Sequence, residues 1–151
     1  MTETPIEARP LAPAGMAIGQ AVGQAQLVLT RLLSGVLAGT GTTRETYLAL
    51  QRLAVHGDVA GRDRYVRDLS EWLDLDLWAA GELADGMVDT GLLTLAEETI
   101  GLAAAGAGLR ERLRRSIGAV TAPLYAPLDP ADIETTVRTL GDITSRAREL
   151  R

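Results

Sequence analysis

The chain has 151 residues, 46% apolar and 23% charged, enough for one compact domain that buries about 70% of its unfolded surface. It has no cysteine and a single histidine, His56, which excludes disulfides, thiolate metal sites and a multi-histidine metal centre within one chain. The formal charge of −5 gives no general attraction to nucleic acid or anionic membrane, and all 15 basic residues are arginine.

No apolar run reaches the roughly 18 residues of a membrane span. The start holds Pro5, Pro10 and Pro13 with Glu3 and Glu7, and predicts a flexible arm over 1–13 rather than a secretory leader. The chain therefore reads as a soluble, cytoplasmic protein with one domain over 14–151. In the first helix, about 14–38, Ile18, Val22, Ala25, Leu29, Leu32 and Val36 form a stripe at spacings of three and four. Gly39-Thr40-Gly41 breaks it. Thr42 with Glu45 reads as a capping box for a second helix to His56, and Gly57 as its C-cap. A third helix is expected over Asp63 to Leu73. Asp74-Leu75-Asp76 turns the chain, with Asp76 capping a fourth helix from Leu77 to Asp89. Leu92–Leu95 and Thr99–Leu102 read as short strands joined by Ala96-Glu97-Glu98. A fifth helix runs over about 104–122 and stops at Pro123. Asp129-Pro130 opens a sixth, about 130–150, with Ile133, Val137, Leu140, Thr144 and Ala147 on one side.

This order predicts a mainly α fold. Its centre, about 42–102, is a winged helix-turn-helix with a small β-hairpin, flanked by long helices. Those flanking helices are apolar over much of their surface. Either they fill a core or they hold a homodimer; the second reading is preferred, with helices 14–38, 104–122 and 130–150 at the interface.

Leu69-Ser70-Glu71-Trp72-Leu73-Asp74-Leu75-Asp76 resembles the helix and turn that precede the recognition helix in the MarR family of dimeric winged-helix regulators. Gly91-Leu92-Leu93 is similar to that family's approach to the wing. Leu102-Ala103-Ala104-Ala105-Gly106 resembles the segment that opens its fifth helix, and the helix from Asp129 its C-terminal dimerisation helix. The resemblance extends over most of 14–150. It implies a recognition helix for the major groove, a wing for the minor groove, and a pocket between domains for a small phenolic or aromatic ligand that releases DNA.

The chain departs from this pattern where DNA would be gripped. Residues 74–98 contain seven acids (Asp74, Asp76, Glu82, Asp85, Asp89, Glu97, Glu98) and no arginine. Duplex binding rests on cations that displace counterions, and base reading on arginine, asparagine or glutamine. Leu77, Trp78, Ala79, Gly81 and Glu82, at the start of the recognition helix, offer only the Trp78 indole as a phosphate donor. The wing lacks the family's aspartate-x-arginine pattern and is short. Some acids are expected to be occupied: Asp76 as a cap, Asp85 in an ion pair. Arg62, Arg64 and Arg67 read either as a phosphate clamp or as a solvated face paired with Asp63, Asp68 and Glu71. Arg110, Arg112, Arg114 and Arg115 read as anion capture, as dimer ion pairs, or again as a solvated face.

With DNA binding weakened, the inter-domain pocket becomes the candidate site. Gln20, Gln24 and Arg31 from the first helix, with Arg44, Tyr47 and Gln51 from the second, are candidate ligand contacts; each is equally ordinary surface. His56 is a candidate acid–base group and Tyr47 a candidate donor, so both are candidate catalytic residues. Against this, His56 also suits a helix-end cap, and Tyr47 and Tyr65 suit a core with satisfied hydroxyls. Trp72 reads as core, whereas Trp78 either fills a groove in its own chain or covers a ligand. Gly15, Gly19 and Gly23 suit close helix packing between protomers, because no strand precedes them as a nucleotide motif requires. No metal or cofactor is expected. Three readings follow: a MarR-like homodimer that binds or converts a small organic metabolite, aromatic or polyketide-like, without specific DNA binding; a ligand-responsive repressor using Arg62, Arg64 and Arg67; or a regulator that meets another protein through the altered fourth helix.

Overall fold

The computed structural model describes residues 13–151. Of the expected arm, residues 1–12 lie outside the described residues, and Pro13 already opens a helix. The elements are α1 (Pro13–Leu37), α2 (Arg44–His56), β1 (Val59–Ala60), α3 (Arg62–Leu73), α4 (Leu77–Asp89), β2 (Leu93–Ala96), β3 (Thr99–Leu102), α5 (Ala104–Tyr125) and α6 (Pro130–Glu149). The strands form an antiparallel sheet in the order β1-β3-β2, with Val59 opposite Ile100 and Leu93 opposite Leu102. This is a mainly helical winged helix-turn-helix. No helix among the described residues is long and apolar enough to cross a membrane.

The core lies inside the winged part. Ala49, Leu50 and Leu53 of α2 pack with Tyr65, Val66 and Leu69 of α3. Ala80, Ala84 and Met87 of α4 close it from the other side, with Leu93 and Ile100 from the sheet. Helical spacing of three and four brings each set to one face. The long helices behave differently. The only buried residue of α1 is Leu37, and α6 has none.

The local signals act largely as expected. Asp76 Oδ1 accepts from the Ala79 amide at 2.8 Å, and Asp129 Oδ1 from the Ala131 amide at 2.8 Å, with Pro130 in the first turn. Gly57 ends α2 at φ 82°, in the region that favours glycine.

Four details correct the sequence reading. The cap of α2 is Thr43, not Thr42: its Oγ1 accepts from the Thr46 amide at 3.2 Å, while the Thr42 amide is taken by Thr40 Oγ1. Glu45 therefore sits inside the first turn instead of closing a box. Helix α5 passes through Pro123 to Tyr125, because a proline this near the helix end removes a single hydrogen bond from an exposed turn. Strand β1 has two residues, too few for any alternation to register. The wing turns on Glu97-Glu98 alone, both at positive φ (49° and 63°). That is the conformation of the tight two-residue hairpin turn whose twist matches its strands.

Candidate functional site

Two surfaces carry the chemistry: the exposed face of α4 with the wing, and a cleft between the α1–α2 loop and α4. On α4, residues 78, 82, 85 and 89 recur at helical spacing and all face solvent. Trp78 is 75% exposed and Leu77 59%. Three of the seven acids are engaged. Asp76 caps α4. Asp85 accepts two bonds from Arg62, Nε to Oδ1 and Nη2 to Oδ2, both at 2.7 Å. Asp74 takes Arg151 in the same forked way, at 2.7 and 3.1 Å. The hydrogen bond from Arg62 holds the Asp85 carboxyl below the usual range, against an upward push from burial that outweighs the Arg62 charge alone; for Asp74 the hydrogen bond from Arg151 and then its charge do the same. Glu82, Asp89, Glu97 and Glu98 are exposed and have no cation partner among the described residues.

Of the three arginines considered for DNA, Arg62 is thus committed to Asp85. Arg64 and Arg67 are exposed and make no ion pair among the described residues. Asp68, expected beside them, instead lies 3.9 Å from Arg52, whose guanidinium sits 5.8 Å from the Trp72 ring. Trp72 is accordingly half-buried under a cation rather than sunk in the core.

The cleft has two adjoining cavities that share Gly41, Thr42 and Thr43. One, of 260 Å³, also has Ser34, Leu37, Ala38 and Arg44 in its wall. The other, of 470 Å³, adds Thr46 from α2, Glu82, Leu83, Gly86, Met87 and Thr90 from α4, and Leu92 and Leu109 beyond it. Its wall is mostly apolar with hydroxyls at intervals. Arg44 Nε is buried and meets no acceptor among the described residues; the Glu45 carboxylate stands 3.8 Å away.

The other sequence candidates are scattered. Gln20, Gln24 and Arg31 are exposed on α1 and line neither cavity. Tyr47 is half-buried beside the cleft wall. Gln51 accepts a 2.8 Å bond from Arg110 Nε, tying α2 to α5. His56, at the exposed end of α2, borders a separate 330 Å³ cavity with Arg52, Asp58, Arg64 and Asp68. In the α5 cluster, Arg114 forks onto Glu111 at 2.9 and 3.0 Å, and Arg115 stands 4.0 Å from the same carboxylate. Tyr65 is fully buried, but its hydroxyl has no partner among the described residues, contrary to the expectation of a satisfied one; burial pushes its pKa up. Thr46, Glu82, Leu83 and Leu109 of the cleft were missed. Each looks like ordinary helix periodicity, and only the fold brings them together. No group of three or more acids or histidines placed to hold a metal ion occurs among the described residues.

No family model and no curated protein matches the sequence. Solved structures do. A MarR family protein from Bacillus stearothermophilus superposes with a TM-score of 0.71 at 19% identity, over 92% of this chain and 99% of that one. CouR from Rhodococcus jostii, bound to p-coumaroyl-CoA, gives 0.70 at 19% identity, over 84% and 91%. A MarR family protein from Mycobacterium tuberculosis in complex with salicylic acid gives 0.61 at 19% identity, over 83% and 96%. The fold of the chain is that of the MarR winged-helix proteins.

Proposed function

We propose that this chain forms a homodimer that binds a small organic acid in the cleft between its loop and α4, and that its α4 surface does not grip duplex DNA. The observation that carries this reading is the pairing of the two surfaces. The cleft offers apolar walls, threonine hydroxyls and an arginine with a buried, unmet donor. The adjacent α4 and wing segment, 74–98, offers four carboxylates without a cation partner among the described residues and contains no arginine.

A ligand with an aromatic or otherwise apolar body would lie against Leu83, Met87, Leu92 and Leu109. Its carboxylate would meet Arg44, which suits a planar, doubly hydrogen-bonded anion. Salicylic acid, bound by the Mycobacterium protein, is an aromatic carboxylate of this kind, and the p-coumaroyl-CoA bound by CouR shares its aromatic body but not the free carboxylate, which supports the assignment by analogy of fold. Binding rather than catalysis is the preferred role, because His56 and Arg44 border different cavities and Tyr47 lines neither. The dimer follows from apolar side chains left outside on α1 and α6: Ile18, Val22 and Leu29 with Ile133, Val137 and Leu140.

The test is a thermal-shift titration with aromatic carboxylates, each set against the alcohol of the same skeleton. A bound acid at 100 times its Kd adds about 2.7 kcal/mol, a rise of about 5–10 °C for a domain this size. The acid should shift the wild type, the alcohol should not, and Arg44→Ala should remove the effect. If no acid shifts the melting curve, or Arg44→Ala responds as the wild type does, the cleft is not the site.

One observation favours a second reading, a ligand-responsive repressor: Arg64 and Arg67 stand exposed on α3 with no ion pair among the described residues. On that reading, Arg64→Ala with Arg67→Ala abolishes binding to a duplex operator; retention of binding removes it.

A further inference from the structure

The exposed face of α4 is apolar at one end and acidic along its length, and it runs into a groove against the wing. Leu77 and Trp78 stand at its start, on a helix whose other side is packed into the core. Glu82 lies four residues on and Asp89 eleven, about 6 Å and about 16 Å along the axis from Trp78. The 350 Å³ groove between Asp85, Val88, Asp89 and β2 ends at Leu95, which is half exposed. A neighbouring hollow joins Leu95 to Glu98. Arg62, the only arginine in the groove, is spent on Asp85.

We infer that this surface docks a basic, amphipathic segment of another protein. The occupant is set by charge and by the kind of apolar residue exposed. A large exposed tryptophan is the residue type that dominates protein interfaces when it enters a partner's pocket. Its ring face also attracts arginine or lysine. Glu82, Asp89 and Glu98 complement cations placed one turn and about three turns from an apolar anchor, with Leu95 as a second anchor. The same carboxylates repel phosphate, so neither duplex DNA nor an anionic lipid surface matches this face. The inference does not require the cleft to be occupied, although Glu82 borders both the cleft and this face.

The experiment selects random dodecapeptides displayed on phage against the immobilised full chain, then measures selected synthetic peptides by fluorescence anisotropy. Enriched sequences should carry net positive charge with at least one aromatic or long aliphatic residue. Their affinity should weaken as salt rises from about 50 to about 300 mM. It should fall at least tenfold for Trp78→Ala, and likewise for Glu82→Arg with Asp89→Arg. All three side chains are exposed, so circular dichroism should show unchanged folding. Three results overturn the inference: no basic bias among selected peptides, equal affinity for wild type and both variants, or duplex DNA that competes the peptides off the wild-type chain at equal concentration.

Discussion

Gly106 sits where the first turn of α5 crosses the carbonyl of Leu92, and a Cβ there would collide with that oxygen and crowd Leu102. The backbone oxygen cannot retreat, because it accepts from the Ala103 amide at 3.1 Å. Gly106→Ala should therefore cost about 1–3 kcal/mol, read as a lowered midpoint in urea. The opposite sign is expected at Tyr65. Its buried hydroxyl has no partner among the described residues, so Tyr65→Phe should leave stability unchanged or raise it by about 1 kcal/mol in the same assay. Asp85 gives a pH prediction. Its folded pKa lies below its unfolded value, about 3.9 for an ordinary aspartate. The stability it contributes is present above that value and is lost as pH falls through the lower folded pKa. Asp85→Asn should thus melt below the wild type at pH 7, and the two should converge in strong acid. The gap should be small, since both partners of the pair are about half exposed.

At the scale of elements, the proposal is that the fourth helix and wing set the relation to DNA through sign rather than shape. Replacing Glu82, Glu97 and Glu98 by arginine keeps every backbone feature and reverses three charges. If charge alone keeps this face from a duplex, the variant should gain at least tenfold in duplex affinity. Its salt slope should steepen by up to about three units, at about 0.9 per phosphate met. Helix boundaries could be read from the sequence wherever a side chain does the capping, as with Asp76 and Asp129. They drifted where adjacent residues compete for the role, as Thr42 and Thr43 do. The wing's existence was readable from two apolar runs, but its turn was not. Two glutamates in left-handed conformation are a choice that only the strand pairing on either side enforces. The acid pairings split in the same way. Asp85 finds Arg62, 23 residues away, across two packed helices, whereas Asp74 finds Arg151 through a contact spanning 77 residues that no local pattern signals.

For the whole molecule, the winged core is buried within one chain, whereas α1 buries only Leu37 and α6 no residue. A helix of 20 residues without a single buried side chain has little reason to persist alone. Burying Val137 and Leu140 against a partner would contribute about 1.5–3 kcal/mol each. Val137→Glu with Leu140→Glu should shift the particle from dimer to monomer, or unfold it, in light scattering coupled to size exclusion. The cleft was only partly foreseen for a related reason. Arg44 was among the candidate contacts, but the apolar wall is assembled from Leu83 and Met87 of α4, Leu92 after it and Leu109 of α5 by tertiary packing. The proposed role requires the outer face of the fourth helix to be hostile to phosphate. The most direct measurement is the affinity of the wild-type protein for mixed-sequence duplex DNA across a salt series. No saturation at micromolar protein and physiological salt, with a shallow slope, is the predicted result. Sub-micromolar binding that falls steeply with salt, with a slope of about −4 or beyond, would contradict it.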